Sequence, residues 1–161
     1  MAEPPPLFTL GYEGRTLEEF VRLLRAERVG AVLDVRDVPW SHKPGFAKKP
    51  LAEGLEAAGI RYLHAGFAGN PKRLRSQASD TDDALRLYAA HLDASPEVLA
   101  EFDALVSDLH TAGIRVCLLC LERDPAQCHR AVLAARWAKR GPGRTVRHLR
   151  FAEVRRKKGR R

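Results

Sequence analysis

The chain has few cysteines and no long apolar run. Its three cysteines among 161 residues are too few and odd in number for a disulfide framework, so free thiols in a reducing compartment are expected. It contains no stretch of 18 uninterrupted apolar residues, which argues against a membrane-spanning helix and against a membrane partner. The opening MAEPPPLFTL sets prolines where a secretory leader needs an apolar core, so the expected address is cytoplasmic. The sequence carries no GxGxxG fingerprint, hence no dinucleotide cofactor is expected and redox chemistry of that kind is disfavoured. Internal repeats and interdomain linkers are also missing.

What is present is an ordinary globular composition, 45% hydrophobic, of a length that suits one core. We read residues 7–150 as a single domain and 151–161 as a basic tail. The net charge of +8 is uneven, because the segment from Arg136 onward holds twelve Lys/Arg against one acid, Glu153. The end of the chain, with Arg155, Arg156, Lys157, Lys158, Arg160 and Arg161, would attract nucleic acid or another polyanion through counterion release. It lacks interleaved aromatics on which single-stranded bases could stack, and a solvated tail explains the same residues.

Apolar periodicity alternates between strand and helix. Strands are expected at Leu7 to Tyr12, Ala31 to Val35, Arg61 to His64, Arg115 to Leu121 and Thr145 to Leu149. Between them lie helices at Thr16 to Val29, opened by a Thr16/Glu19 capping box, and at about Lys49 to Ala58. Further helices run from Asp80 or Asp82 to Leu92, from Pro96 to Gly113, and from Pro125 to about Lys139. The stretch Gly66 to Asp80 shows no period and reads as a loop near a pocket mouth. This rhythm predicts a three-layer Rossmann-like α/β domain with a mostly parallel sheet of about five strands.

Ligands of such sheets bind beyond the carboxyl ends of the strands, and three strand ends carry reactive residues. The segment CLERDPAQCHR, Cys120 to Arg130, runs from a buried strand through Asp124-Pro125 into a helix, with Asp124 as cap and Gln127 completing a box. Here Cys120 is a candidate nucleophile, Glu122 an acid or base, His129 a proton carrier and Arg130 an anion clamp. Cys128 shares a helix face with Ala131, Val132 and Ala135 and reads as packing. Cys117 and Cys120 have the C-x-x-C spacing of zinc ligands or a redox pair, and Cys128-His129 could complete a set of four, but residues three apart on a strand point to opposite faces, so no metal is expected. In LDVRDVPWS, alternation puts Asp34 and Arg36 on one side, Asp34 as a base or orienting group and Arg36 as a charge binder, with Ser41 following. In GYEGR, Tyr12, Gly14 and Arg15 belong to a tight turn that would face the ligand.

These three motifs, TLGYEGR, LDVRDVPWS and CLERDPAQCHR, resemble the domain of unknown function 488 family over about Leu7 to Leu149. The resemblance implies a compact cytoplasmic α/β domain and marks Gly11, Tyr12, Gly14, Asp34, Arg36, Pro39, Ser41, Cys120, Glu122, Cys128, His129 and Arg130 as the shared pattern. It supplies no reaction. LDVRD also resembles rhodanese-like domains. Their loop, however, has five residues between Cys and Arg, whereas nine separate Cys120 from Arg130, so that backbone cradle is not expected.

The function expected from the residues is a small hydrolase or transferase that binds an anionic or nucleotide-like ligand. The alternatives are a non-catalytic nucleic-acid-binding or regulatory module using the tail, and a thiol-redox role through Cys120 and Cys128.

Overall fold

The computed structural model describes residues 3–152. Strands β1 (Leu7–Gly11), β2 (Ala31–Asp34), β3 (Arg61–His64), β4 (Val116–Cys120) and β5 (Val146–His148) form one sheet in the order β3-β2-β4-β1-β5. Every neighbouring pair is parallel. The helices are α1 (Leu17–Ala26), α2 (Lys48–Ala57), α3 (Lys72–Arg75), α4 (Thr81–Asp93), α5 (Pro96–Thr111) and α6 (His129–Lys139).

The layers follow from side-chain alternation along the strands. Phe8, Leu10, Val32, Cys117 and Leu119 face one side, where they meet Phe20 and Leu24 of α1 and Leu51 and Leu55 of α2. Leu7, Leu33 and Leu118 face the other, against Tyr88 of α4, Phe102 and Val106 of α5, and Leu133 and Trp137 of α6. Both faces being covered, β1, β2 and β4 are buried along their whole length, which is why they read as unbroken apolar runs. This is the expected three-layer α/β fold with a parallel five-stranded sheet.

Local signals act as anticipated in several places. Thr16 and Glu19 form a reciprocal capping box on α1, and Asp80 caps α4 by accepting from the Asp83 N–H at 2.7 Å. α1 ends at Ala26, earlier than its apolar pattern suggests, because Arg28 takes φ 57° and turns the chain out of the helix. The stretch expected as a loop after Gly66 holds a 3-10 turn, Gly66–Ala68, and the single turn of α3, each too short to show a period.

The helix expected from Pro125 needs a larger correction. Pro125–Gln127 is a 3-10 turn, capped by Asp124, which accepts from the Ala126 N–H at 2.9 Å. The α-helix opens four residues later, at His129, with Cys128 as its extended N-cap, φ −129° and ψ 139°. Cys128 therefore lies outside the helix rather than on its packing face.

Because β2, β4 and β1 are adjacent, the loops that follow them emerge side by side on one rim. The ladder continues past the strand ends, through Tyr12 N–H to Cys120 O at 3.2 Å, Glu13 N–H to Leu121 O at 2.9 Å and Val35 N–H to Leu119 O at 3.3 Å. No helix among the described residues is long and apolar enough to cross a membrane. The proposed nucleic-acid contacts Arg155, Arg156, Lys157, Lys158, Arg160 and Arg161 lie outside the described residues.

Candidate active site

The β2 end is organised by a buried ion pair. Asp34 is fully buried and receives Arg36 Nε at 2.8 Å and Arg36 Nη2 at 2.7 Å, a two-pronged bond of the kind guanidinium geometry favours. The Tyr62 hydroxyl donates to the same carboxylate at 2.5 Å. Arg36 Nη1 donates to the Phe46 carbonyl at 2.6 Å and to the Tyr12 hydroxyl at 3.2 Å. Burial alone would weaken the Arg36 charge, but the bonds and charge of Asp34 outweigh it and raise its pKa above the usual value. Burial, then Asp34, also push the Tyr62 phenol up, so it remains a donor. Asp34 thus holds Arg36 in place and is itself shut off from any ligand.

The β4 end is built on backbone contact. A Cβ on Gly11 would stand 1.8 Å from the Glu122 carbonyl oxygen, so only glycine lets β1 pass this close to the chain after β4. Arg130, fully buried on α6, donates to the Glu122 carbonyl at 2.5 Å, to the Arg123 carbonyl at 3.4 Å and to Thr9 Oγ1 at 3.1 Å. Its guanidinium braces the loop from behind.

On the cleft side of that loop, Cys120 Sγ lies 3.5 Å from Glu122 Oε2 and 3.7 Å from His129 Nδ1. His129 Nε2 is 2.8 Å from the Val35 carbonyl, which only a protonated nitrogen can satisfy, so in the neutral ring Nδ1 carries the free lone pair. Sγ is 3.9 Å from Nε2 as well. It therefore faces the ring between its two nitrogens, a loose contact common in unliganded sites. Burial opposes protonation of His129, yet Cys128, the Val35 carbonyl and Glu122 outweigh it and raise its pKa. Burial, reinforced by Cys120, pushes the Cys128 thiol far up. Cys117, on the opposite face of the sheet, is likewise held protonated by burial.

A cavity of about 280 Å³ opens above these groups. Of the residues expected at a site, Tyr12, Arg36, Cys120, Glu122 and His129 line it. Others are placed elsewhere. Asp34 and Arg130 are buried behind it. Arg15 pairs with Glu19 at 3.1 Å, covers the Phe151 ring and borders a separate hollow beside Arg123. Gly14 supplies a left-handed turn, φ 75°, and Ser41 Oγ accepts from the Lys43 N–H at 3.1 Å within its own loop.

Sequence reasoning missed Asp37, Trp40, Asn70 and Arg75, which line the cavity together with Val38 and Leu121. Trp40 is 59% exposed and forms an aromatic rim. Arg75, half exposed, pairs with Asp37 at 3.7 Å. The cavity adjoins a second one of about 440 Å³ that shares Asn70, Arg75, Glu122 and His129, so the cleft has two compartments.

The model of the family described as domain of unknown function DUF488 matches residues 16–137. No curated protein matches the chain. Among solved structures, the chain is similar to a DUF442 protein from Shewanella putrefaciens CN-32, provisionally described as a phosphatase, at 16% identity and a TM-score of 0.40, covering 86% of this chain and 68% of that one. A likeness of that size carries no argument about function.

Proposed function

We propose that this chain, which belongs to the DUF488 family of domains of unknown function, is a small cytoplasmic hydrolase or transferase that takes an anionic or nucleotide-like substrate into the cleft. The observation that carries this reading is the meeting of Tyr12, Arg36, Cys120, Glu122 and His129, from three separate strand ends, in one cavity. Asp34 and Arg130, by contrast, are buried and spent on internal bonds.

In this reading Arg75 holds the negative group, and Trp40 offers a flat apolar surface to the remainder. Glu122 moves protons at the reacting centre beside Cys120 and His129. The three free cysteines suit a reducing compartment.

A thermal-shift screen against nucleotides, sugar phosphates and simple phosphorylated acids tests the reading, with Arg75→Ala alongside. A ligand at a hundred times its Kd adds about 2.7 kcal/mol, a rise of roughly 5–10 °C for a chain of this size. The expected result is a hit in the wild type that Arg75→Ala weakens. Hits equal in both proteins would reject the cleft as the binding place.

A further inference from the structure

The thiol of Cys128 has no role in the proton transfers assigned above, yet it is buried beside them. Cys120 Sγ, Cys128 Sγ and a His129 ring nitrogen all lie within 4.8 Å of one another. This closeness has a local cause. Cys128 is the extended N-cap and His129 the first residue of α6, so the chain bends between them and two adjacent side chains converge on one point, opposite the end of β4.

The distances suit a common ion. Donors held at about 2.3 Å by sulfur and 2.0–2.1 Å by nitrogen around a tetrahedral centre stand roughly 3.5 Å apart. Cys120 Sγ and His129 Nδ1 are 3.7 Å apart, close to that separation, and a turn of the imidazole would direct Nδ1 at the shared ion. The second shell is also in place. His129 Nε2 is tied to the Val35 carbonyl at 2.8 Å, the arrangement by which ligating histidines fix their tautomer and turn the other nitrogen to the metal.

From this geometry we infer that Cys120, Cys128 and His129 form a three-ligand site for a zinc-class divalent ion, with its fourth position facing the cleft. The donor set of two sulfurs and one nitrogen favours zinc over magnesium or calcium, which take oxygen. Cys120 and His129 both line the cavity, so the remaining position is reached from the substrate side, the pattern of a catalytic rather than a structural ion. Glu122, 3.5 Å from Cys120 Sγ, stands next to that position. On binding, each thiol releases its proton to solvent and the sulfur lone pair forms the metal bond, with no change of oxidation state. Cys117 takes no part, being on the opposite face of the sheet.

The inference rests on the proposed reaction centre and is tested separately from it. The full chain, reduced and stripped with a chelator, is titrated with Co²⁺ as a spectroscopic probe and then with Zn²⁺. The expected result is one ion per chain, a sulfur-to-cobalt charge-transfer band with the visible bands of tetrahedral cobalt, and their loss when zinc displaces it. Cys128→Ser and Cys120→Ser should lose the band and Cys117→Ala should keep it. The band in the wild type reports thiolate ligation even if a variant fails to fold. No band in the wild type, or an undiminished band in both folded serine variants, would overturn the inference. Absence of metal together with a substrate hit in the cleft would leave the proposed function standing, whereas metal uptake by a chain that binds no ligand of the screen would do the reverse.

Discussion

Gly11→Ala should damage both stability and site, because the added methyl meets backbone rather than a movable side chain. Its Cβ would lie 1.8 Å from the Glu122 oxygen, 2.5 Å from the Glu122 carbonyl carbon and 3.1 Å from Arg123 Cα. Relief to an ordinary contact requires about 1.5 Å of displacement, well beyond what packed interiors absorb. The bond from Arg130 Nη1 to the Glu122 carbonyl, now 2.5 Å, would break, and Glu122 would swing away from Cys120. Overpacking costs roughly 1–3 kcal/mol and a lost bond to a buried charge another 1.5–3 kcal/mol. The sum, about 2.5–6 kcal/mol, corresponds to a fall in Tm of roughly 5–24 °C at the 2–4 °C per kcal/mol typical of this size. Thermal unfolding followed by circular dichroism measures it. The control is Gly14→Ala, where no atom lies within 4 Å and only the positive φ of 75° opposes the methyl, so the loss should be near 1 kcal/mol. If Gly11→Ala melted within 2 °C of Gly14→Ala, the close approach of β1 to the Glu122 loop would be refuted.

Three further outcomes are expected. Asp34→Asn leaves the buried Arg36 charge without its partner and should cost about 3–5 kcal/mol in denaturant titration; a change below 1 kcal/mol would contradict the pairing. Arg75→Ala and Trp40→Ala, both at exposed positions, should leave Tm within about 2 °C of wild type while weakening a cleft ligand roughly tenfold, read by calorimetry. His148 Nδ1 faces Thr9 Oγ1 at 2.6 Å, and burial, then Arg130 and Arg150, lower its pKa below the usual 6.5. Its neutral form is favoured by folding, so its contribution is present above pH 6.5 and is lost as pH falls from there through the folded-state value. His148→Gln should therefore lose less stability than wild type between neutral pH and about pH 5, and an equal or greater loss would count against the assignment.

The parts legible in the sequence are those set by local chemistry. The Thr16/Glu19 box, the Asp80 cap and the three buried strands each follow from residues within a few positions of one another. Strand alternation sets Cys117 and Cys120 on opposite faces, Cys117 in the α1/α2 layer and Cys120 beside His129, which packs on Tyr88 of the other layer. Cys128 was misplaced because Asp124-Pro125 announces a turn without saying whether 3-10 or α geometry continues it. Asp124 bonds two residues ahead, to Ala126, and the helix waits until His129. The roles of Asp34 and Arg36 depended on Tyr62 and Phe46, which reach them from β3 and from the loop before α2. Arg75 comes to the cleft on a helix of one turn, and neither spacing nor periodicity connects it with Cys120.

The central claim is that Cys120, Glu122 and His129 mark a reaction centre. It is tested most directly by following turnover of the cleft ligand from the thermal-shift screen by wild type, Glu122→Gln and His129→Ala, with folding of each checked by its melt. The account predicts turnover by the wild type and a loss of about 10²–10⁴-fold in kcat in each folded variant. An activity that both folded variants retain in full, or a bound ligand that the wild type never converts, would contradict it.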